Sequence, residues 1–284
     1  MEPIPGSLFM CCIQYTDMQL RRIARGTLAW DRLEAVGRTL ADRLDRRSVR
    51  IEFVESDNWL SIPLVVDRRW FVKIITPQHT RVHAILTGAR NLGAVTSGAP
   101  GFFQRFDDPL DMAEHELAAT RRIRELGLNA PRPIDAFEYE YLGIVVLEYL
   151  PEFQTIDELP AAEQRHLGRQ LFEALAVMHD NGVVHGDLRE DNVLLVDGQL
   201  YIIDATSVSE NWLPQGRAYD VASALGVLAP LLGPEPAVRV ALEVYAERTV
   251  IAARRFLEFV WLRPDHDFDV DRVRRAIDRL TGQT

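Results

Sequence analysis

The sequence predicts an α+β fold of two lobes: a small antiparallel β-sheet lobe with one key helix, and a mainly helical lobe built around a loop and hairpin. Three observations lead there. At 284 residues the chain exceeds the usual size of one domain and suits two lobes sharing a cleft. Three β-rich runs follow closely on one another, R-I-E-F-V-E-S from Arg50, W-L-S-I-P-L-V-V from Trp59 and R-W-F-V-K-I-I from Arg69, with Asp67-Arg68 as a turn. Beyond Ala161 the apolar residues recur at helical spacing, except between Val184 and Asp204. The division expected is an N-terminal helical extension over 1–47, a first lobe over 48–149 and a second over 150–284.

Composition narrows the function classes. A hydrophobic content of 47% with 26% charged residues is globular and supplies a sizeable core. A net charge of -10 argues against direct nucleic-acid binding as the main function. The two cysteines, Cys11 and Cys12, are adjacent and cannot form a disulfide framework or a spaced metal site. With no apolar run of membrane-spanning length and no basic start or apolar core of a signal peptide, a cytoplasmic protein without membrane contact is expected. One count is more telling. Lys73 is the single lysine, so the other 31 of the 32 basic residues are arginine. A lysine kept against that bias points to a site needing a compact ammonium, which the planar guanidinium fork does not imitate.

In chain order, Asp17 to Arg47 reads as one or two amphipathic helices, with Leu20, Ile23, Ala24 and Leu28, then Leu33, Val36, Leu40 and Leu44, at helical spacing. Lys73 falls in an apolar strand, where a charge needs a partner or a ligand. A long glycine-containing segment follows, from Thr76 to Asp107, with a short helix expected near Val82 to Leu92. Asp108-Pro109 then opens a helix ending at Gly127, a capping residue followed by proline at the first helical position. It carries Glu114 and Glu116, of which Glu114 is expected to face solvent. Arg132 to Phe137 and Tyr141 to Leu147 read as strands. They lead into E-Y-L-P at 148 to 151, the crossing between lobes, where Glu148, Tyr149 and the nearby Val146 are candidates to hold a flat aromatic ligand. Ala161 to Asp180 is a helix with Gly182 just beyond it. An apolar helix is expected to begin at Asp220.

The chemistry concentrates in V-H-G-D-L-R-E-D-N-V-L-L-V-D-G-Q-L-Y-I-I-D, from Val184 to Asp204. Val193 to Val196 and Gln199 to Ile203 are strands joined by Asp197-Gly198, a strong two-residue hairpin turn. Pairing Val196 with Gln199 sets Asn192 beside Ile203 and Asp204. Two oxygen-bearing side chains thus meet at one open edge, a donor set that suits a hard cation such as Mg²⁺. Asp187 lies in the preceding loop, where a base meets an incoming hydroxyl. The spacing D-x-x-x-x-N followed by a strand-borne Asp matches the kinase motif in which the first Asp orients the nucleophile and the other two hold metal.

With these residues in view, the chain resembles the RIO family of atypical serine/threonine protein kinases, in its archaeal RIO1-like form. The likeness covers roughly Arg50 to Leu232 and rests on V-K-I at 72 to 74, Glu116 ahead of R-E-L-G-L-N-A-P-R-P-I, H-G-D-L-R-E-D-N, and I-I-D. It implies a bilobal protein-kinase-like fold with ATP and Mg²⁺ in the interlobe cleft. Lys73 would sit on the α- and β-phosphates and Glu116 would fix Lys73. Asp187 would be the catalytic Asp, and Asn192 and Asp204 the metal ligands. The phosphate acceptor, a protein or a small molecule, is not named by the likeness.

Two features depart from the family. The segment that should cover the phosphates, E-S-D-N-W-L-S-I-P at 55 to 63, contains no glycine, so its backbone cannot close tightly on them. Ser56, Asn58 and Ser61 are its candidate phosphate contacts. Ala205-Thr206 stands where many kinases place Phe-Gly. Two other readings follow: a small-molecule phosphotransferase of the aminoglycoside or choline type, which shares H-G-D-L-x-x-x-N, and a nucleotide-binding pseudokinase, suggested by the missing glycines.

Overall fold

A computed structural model describes residues 28–54, 61–84, 87, 106, 108–205, 213–261 and 266–283. These belong to two compact units, one drawn from Met1–Ile85, Phe106–Glu114 and Asp135–Val146, the other from Leu86–Arg105, His115–Ile134 and Leu147–Thr284.

The first unit holds a five-stranded sheet in the order β1-β2-β3-β5-β4. Strands β1 (Ile51–Phe53), β2 (Ile62–Val66) and β3 (Trp70–Ile75) form an antiparallel meander. Asp67 and Arg68 turn β2 into β3 with φ of 52° and 51°, the left-handed pair that a two-residue type I′ turn requires. The expected turn is therefore present, and the Asp67 carboxylate reinforces it by accepting the Arg50 N–H at 2.7 Å. Lys73 lies mid-strand opposite Pro63, flanked by the buried Val72 and Ile74.

Helix α1 (Trp30–Arg43) buries Leu33, Val36, Leu40 and Ala41, one stripe of the expected periodicity. Gly37 belongs to the same stripe because a Cβ there would stand 3.2 Å from Ile51 Cδ1. The end of α1 is tied to β4 (Pro133–Tyr139) by Arg43, which bonds Asp135 at 2.7 Å and lies 4.0 Å above the Phe137 ring. The expected helix over 17–27 lies outside the described residues. After β3, residues 77–84 are helical, starting ahead of the expected Val82. Thr76 explains the early start: its Oγ1 accepts the His79 N–H at 3.4 Å while His79 Nδ1 accepts the Thr76 N–H at 3.0 Å, a reciprocal cap with Pro77 behind it.

Helix α2 (Pro109–Glu125) begins as expected, the Asp108 carboxylate accepting the Asp111 N–H at 2.8 Å. Its first turn presses on β5 (Leu142–Glu148) at Gly143, where a Cβ would fall 1.9 Å from the Pro109 carbonyl oxygen. Only glycine permits that approach.

The second unit is mainly helical. Helix α3 (Ala161–Asp180) has the expected limits and buries Leu167, Leu171, Leu175 and Met178; Gly182 follows with φ 76°. Strands β6 (Gln154–Thr155), β7 (Val193–Val196) and β8 (Gln199–Ile202) form a three-stranded sheet. Helix α4 (Leu213–Leu232) is buried on all sides from Ala218 to Ala229, as befits the helix at the middle of a core. Helices α5 (Pro234–Val244), α6 (Glu247–Ala253), α7 (Leu257–Trp261) and α8 (Val270–Leu280) complete the unit. Tyr219 of α4 meets Phe256 edge-on at 6.0 Å in that core.

The beginning of α4 corrects an expectation. The helix starts at Leu213, so Asp220 lies inside it and not at its start. Pro214 and Gly216 look like helix breakers in sequence, yet proline is tolerated in a first turn, whose N–H groups have no intrahelical partner. Gly216 has a long-range reason: a Cβ there would meet Val184 Cγ2 at 2.8 Å. It lets α4 lie against the start of the H-G-D-L loop.

Candidate active site

The β7–β8 hairpin positions the first two oxygen donors. Its register pairs Val193 with Ile202 and Val196 with Gln199, and Asp197 and Gly198 turn at φ 51° and 74°. That is the expected hairpin. Past the ladder, the Ile203 N–H donates to the Asn192 carbonyl at 3.2 Å, which carries the pairing one step further and places Asp204 next to Asn192. Asp204 adopts φ 59°, a left-handed conformation that costs an L residue about 1–2 kcal/mol and that Asp tolerates better than most. Strain of this kind at a strand end marks a residue whose side chain is aimed by the fold.

Asn192 closes a short 3₁₀ turn, Glu190–Asn192, and is buried. Its Nδ2 donates to the Asp187 carbonyl at 2.8 Å. The amide's remaining acceptor is therefore Oδ1, a hard oxygen. Together with the Asp204 carboxylate this donor set fits Mg²⁺, which takes few protein oxygens and completes its shell with water and phosphate. Among the described residues no group of three His, Cys, Asp or Glu side chains is placed to hold a metal ion.

The loop itself hangs on one buried carboxylate. Asp220 accepts the His185 N–H at 2.6 Å, the Gly186 N–H at 2.8 Å and a hydrogen bond from His179 Nε2 at 3.0 Å, with no exposure to solvent. A buried charge is tolerable only when so satisfied. On the far side of His179, Tyr245 Oη donates to Nδ1 at 2.8 Å. Burial, and then the charge of Asp220, push the Tyr245 phenol far above its ordinary value, so it remains a donor.

His185 is fully buried beneath the loop. Its Nε2 donates to the Ile203 carbonyl at 3.0 Å and its Nδ1 accepts the Asp187 N–H at 3.3 Å, the pattern of a neutral ring with the proton on Nε2. Desolvation holds its pKa below the usual 6.5, against the opposing pull of Asp220, Asp187 and Asp204. Below pH ~6.5 the unfolded chain takes up a proton that the folded chain refuses, so stability is complete above that pH and is lost as the pH falls through it. The urea midpoint is accordingly expected to drop between pH 7.5 and 5.5 by more in the wild type than in His185→Gln.

Asp187, Asn192 and Asp204 thus converge on one loop and hairpin, with Asp187 and Asp204 half-buried. Glu116 in α2 is half-buried in the same unit, and Glu114 is exposed as expected. At the end of β5 the Glu148 carboxylate accepts the Arg132 N–H at 3.0 Å, while Tyr149 is half-buried. Lys73 belongs to the first unit; it is 5% exposed, and its Nζ stands 5.9 Å from the Phe71 ring centre. Ser56 and Asn58 lie outside the described residues, and Ser61 is buried. Sequence reasoning assigned no role to His179, Asp220 or Tyr245. A signal existed for Asp220, the one charge in D-V-A-S-A-L-G-V-L-A, but its partners are far away in sequence.

Residues 110–216 match the family model described as the RIO domain. The matched stretch begins in the first turn of α2, ends at Gly216 of α4, and contains Glu116, Glu148, Tyr149, Asp187, Asn192 and Asp204. With the sheet and the helical unit described above, the fold is α+β and protein-kinase-like. The KEOPS complex subunit Bud32 of Pyrococcus abyssi is 32% identical over 93 residues, 31% of this chain and 41% of that protein. NUAK family SNF1-like kinase 2 of Rattus norvegicus is 35% identical over 103 residues, 32% of this chain and 16% of that protein. The matched stretch therefore spans less than half the length of either relative. The PknI kinase domain of M. tuberculosis aligns with 82% of this chain and 96% of its own at a TM-score of 0.41 and 14% identity. No helix among the described residues is long and apolar enough to cross a membrane.

Proposed function

We propose that this chain is an ATP- and Mg²⁺-dependent phosphotransferase, a RIO-like serine/threonine protein kinase or ATPase. The observation that carries the reading is the convergence of Asp187, Asn192 and Asp204 on a loop whose backbone is pinned by Asp220 and by Asn192 itself. Phosphoryl transfer asks mainly for positioned oxygens and cations, since little covalent chemistry falls to the protein.

In this reading Asp187 orients the acceptor hydroxyl, or a water, and takes its proton. Asn192 Oδ1 and the Asp204 carboxylate hold Mg²⁺, which when bound offsets charge on the β- and γ-phosphate oxygens. Lys73 contacts the α- and β-phosphates, and Glu116 is its fixing carboxylate. The Glu148-Tyr149 segment receives the adenine through its backbone, because the Glu148 side chain is committed to Arg132. Ser56 and Asn58 contact phosphate from a loop without glycine. The acceptor is a protein hydroxyl or water, and a cytoplasmic location accords with the chemistry.

Release of phosphate from ATP by the wild type and by Asp204→Ala, each with and without Mg²⁺, tests the reading. The wild type is expected to turn over only with Mg²⁺, and Asp204→Ala to lose roughly a thousandfold in kcat/KM. Equal turnover in the two proteins would remove Asp204 from the site, and absence of turnover in the wild type on any hydroxyl acceptor would remove the enzyme reading.

A further inference from the structure

The H-G-D-L loop is held from three directions, and only two of them belong to the machinery described so far. Asp220 takes the N–H groups of His185 and Gly186 from below, and Asn192 takes the Asp187 carbonyl from the hairpin side. The third hold comes from the far end of the chain. His266 is buried at 6% exposure and donates from Nε2 to the carbonyl of Leu188, the residue after Asp187, at 3.2 Å. Because a carbonyl only accepts, the imidazole carries its proton on that nitrogen.

The placement of His266 is built into its surroundings. Helix α4 carries Gly226 where the His266 segment crosses it. A Cβ at that position would stand 3.0 Å from Phe268 Cε1 and 3.2 Å from His266 Nδ1, so a larger residue would push the segment outward. Phe268 is buried in the core of the unit and meets the His266 ring edge-on at 6.5 Å. Immediately afterwards Asp269 caps α8 by accepting the Arg272 N–H at 2.9 Å. Helix α8 buries Val273, Ala276 and Ile277 and is tied to α7 by Arg274 and Glu258 at 2.7 Å. A rigid helix and a buried aromatic thus deliver one imidazole N–H to the backbone carbonyl of the residue after the proposed base.

We propose that His266 is a positioning residue for the phosphoryl-transfer loop. By fixing the Leu188 carbonyl it sets the orientation of the Leu188–Arg189 peptide, and so restrains the backbone directly after the Asp187–Leu188 peptide that Asn192 holds and from which the Asp187 carboxylate is aimed. The kinetic half of this inference rests on the phosphotransfer reading. The structural half, that the hydrogen bond orders residues 185 to 192, does not.

The test uses the full chain as wild type, His266→Ala and His266→Gln, the amide of glutamine offering an N–H at about the reach of Nε2. Amide hydrogen exchange of the peptide covering Val184 to Val193 reads the order of the loop without any turnover. Steady-state kinetics with ATP read its consequence. In His266→Ala exchange in that peptide is expected to rise, and kcat to fall about tenfold while KM for ATP changes less than about twofold, the size typical of lost outer-layer support at a site. In His266→Gln both are expected to return close to wild type. Unchanged exchange in His266→Ala overturns the proposal. So does a His266→Gln variant as impaired as His266→Ala, because the ring would then act by packing on Phe268 and not by its hydrogen bond. Should the wild type show no turnover, the phosphotransfer reading falls, and exchange alone still decides whether His266 orders the loop.

Discussion

Asp187→Ala is expected to lower ATP turnover by about a thousandfold, close to 4 kcal/mol of barrier, while the protein melts within about 2 °C of wild type. The two halves follow from different atoms of one residue. The scaffold uses the main chain of Asp187, whose N–H goes to His185 Nδ1 and whose carbonyl takes Asn192 Nδ2. Both bonds survive removal of the carboxylate, so the loop is expected to stand. The proposed chemistry uses the carboxylate, which in that reading accepts the proton of the attacking hydroxyl and holds that hydroxyl in line. Asp187→Asn sharpens the test, for it keeps the size of the side chain and removes its basicity. Phosphate release under saturating ATP and Mg²⁺, beside thermal melts, checks both halves. A variant that melts well below wild type would show that its lost activity came through the fold, and a variant with wild-type turnover would take Asp187 out of the reaction.

What local pattern could reveal, it revealed. The Asp197-Gly198 hairpin and the limits of α3 are written in short-range rules, a two-residue turn between β-rich runs in one case and a helical stripe ended by Gly182 in the other. The oxygen donors followed, because register alone carries Asn192 to Ile203. The start of α4 was not legible for the opposite reason. Pro214 and Gly216 signal a break locally, and only the nearness of Val184 explains why a glycine belongs inside that helix. The same holds for the supports of the site. His179, Asp220 and Tyr245 meet across α3, α4 and the turn after α5, and no spacing rule joins residues so far apart. A charged residue alone in an apolar helix is the one local clue that such a meeting exists.

Asp220→Ala is the substitution expected to cost the fold most, about 3–5 kcal/mol, the usual penalty for removing one side of a buried charged interaction. The reason lies in what stays behind. The His185 and Gly186 N–H groups and His179 Nε2 all point at the Asp220 carboxylate in a region closed to water. Alanine offers them no acceptor, and each buried donor left unmade costs about 1–3 kcal/mol. Asp220→Asn separates geometry from charge: one oxygen remains to accept, but an NH₂ now faces a donor, so an intermediate loss of about 1–3 kcal/mol is expected. At roughly 2–4 °C per kcal/mol for a domain of this size, Asp220→Ala should melt on the order of 10 °C below wild type and Asp220→Asn by less. Thermal and urea melts of the three proteins give the order. An Asp220→Ala variant as stable as wild type would mean that the loop backbone finds other acceptors, and Asp220 would then lose its place as the support beneath Asp187.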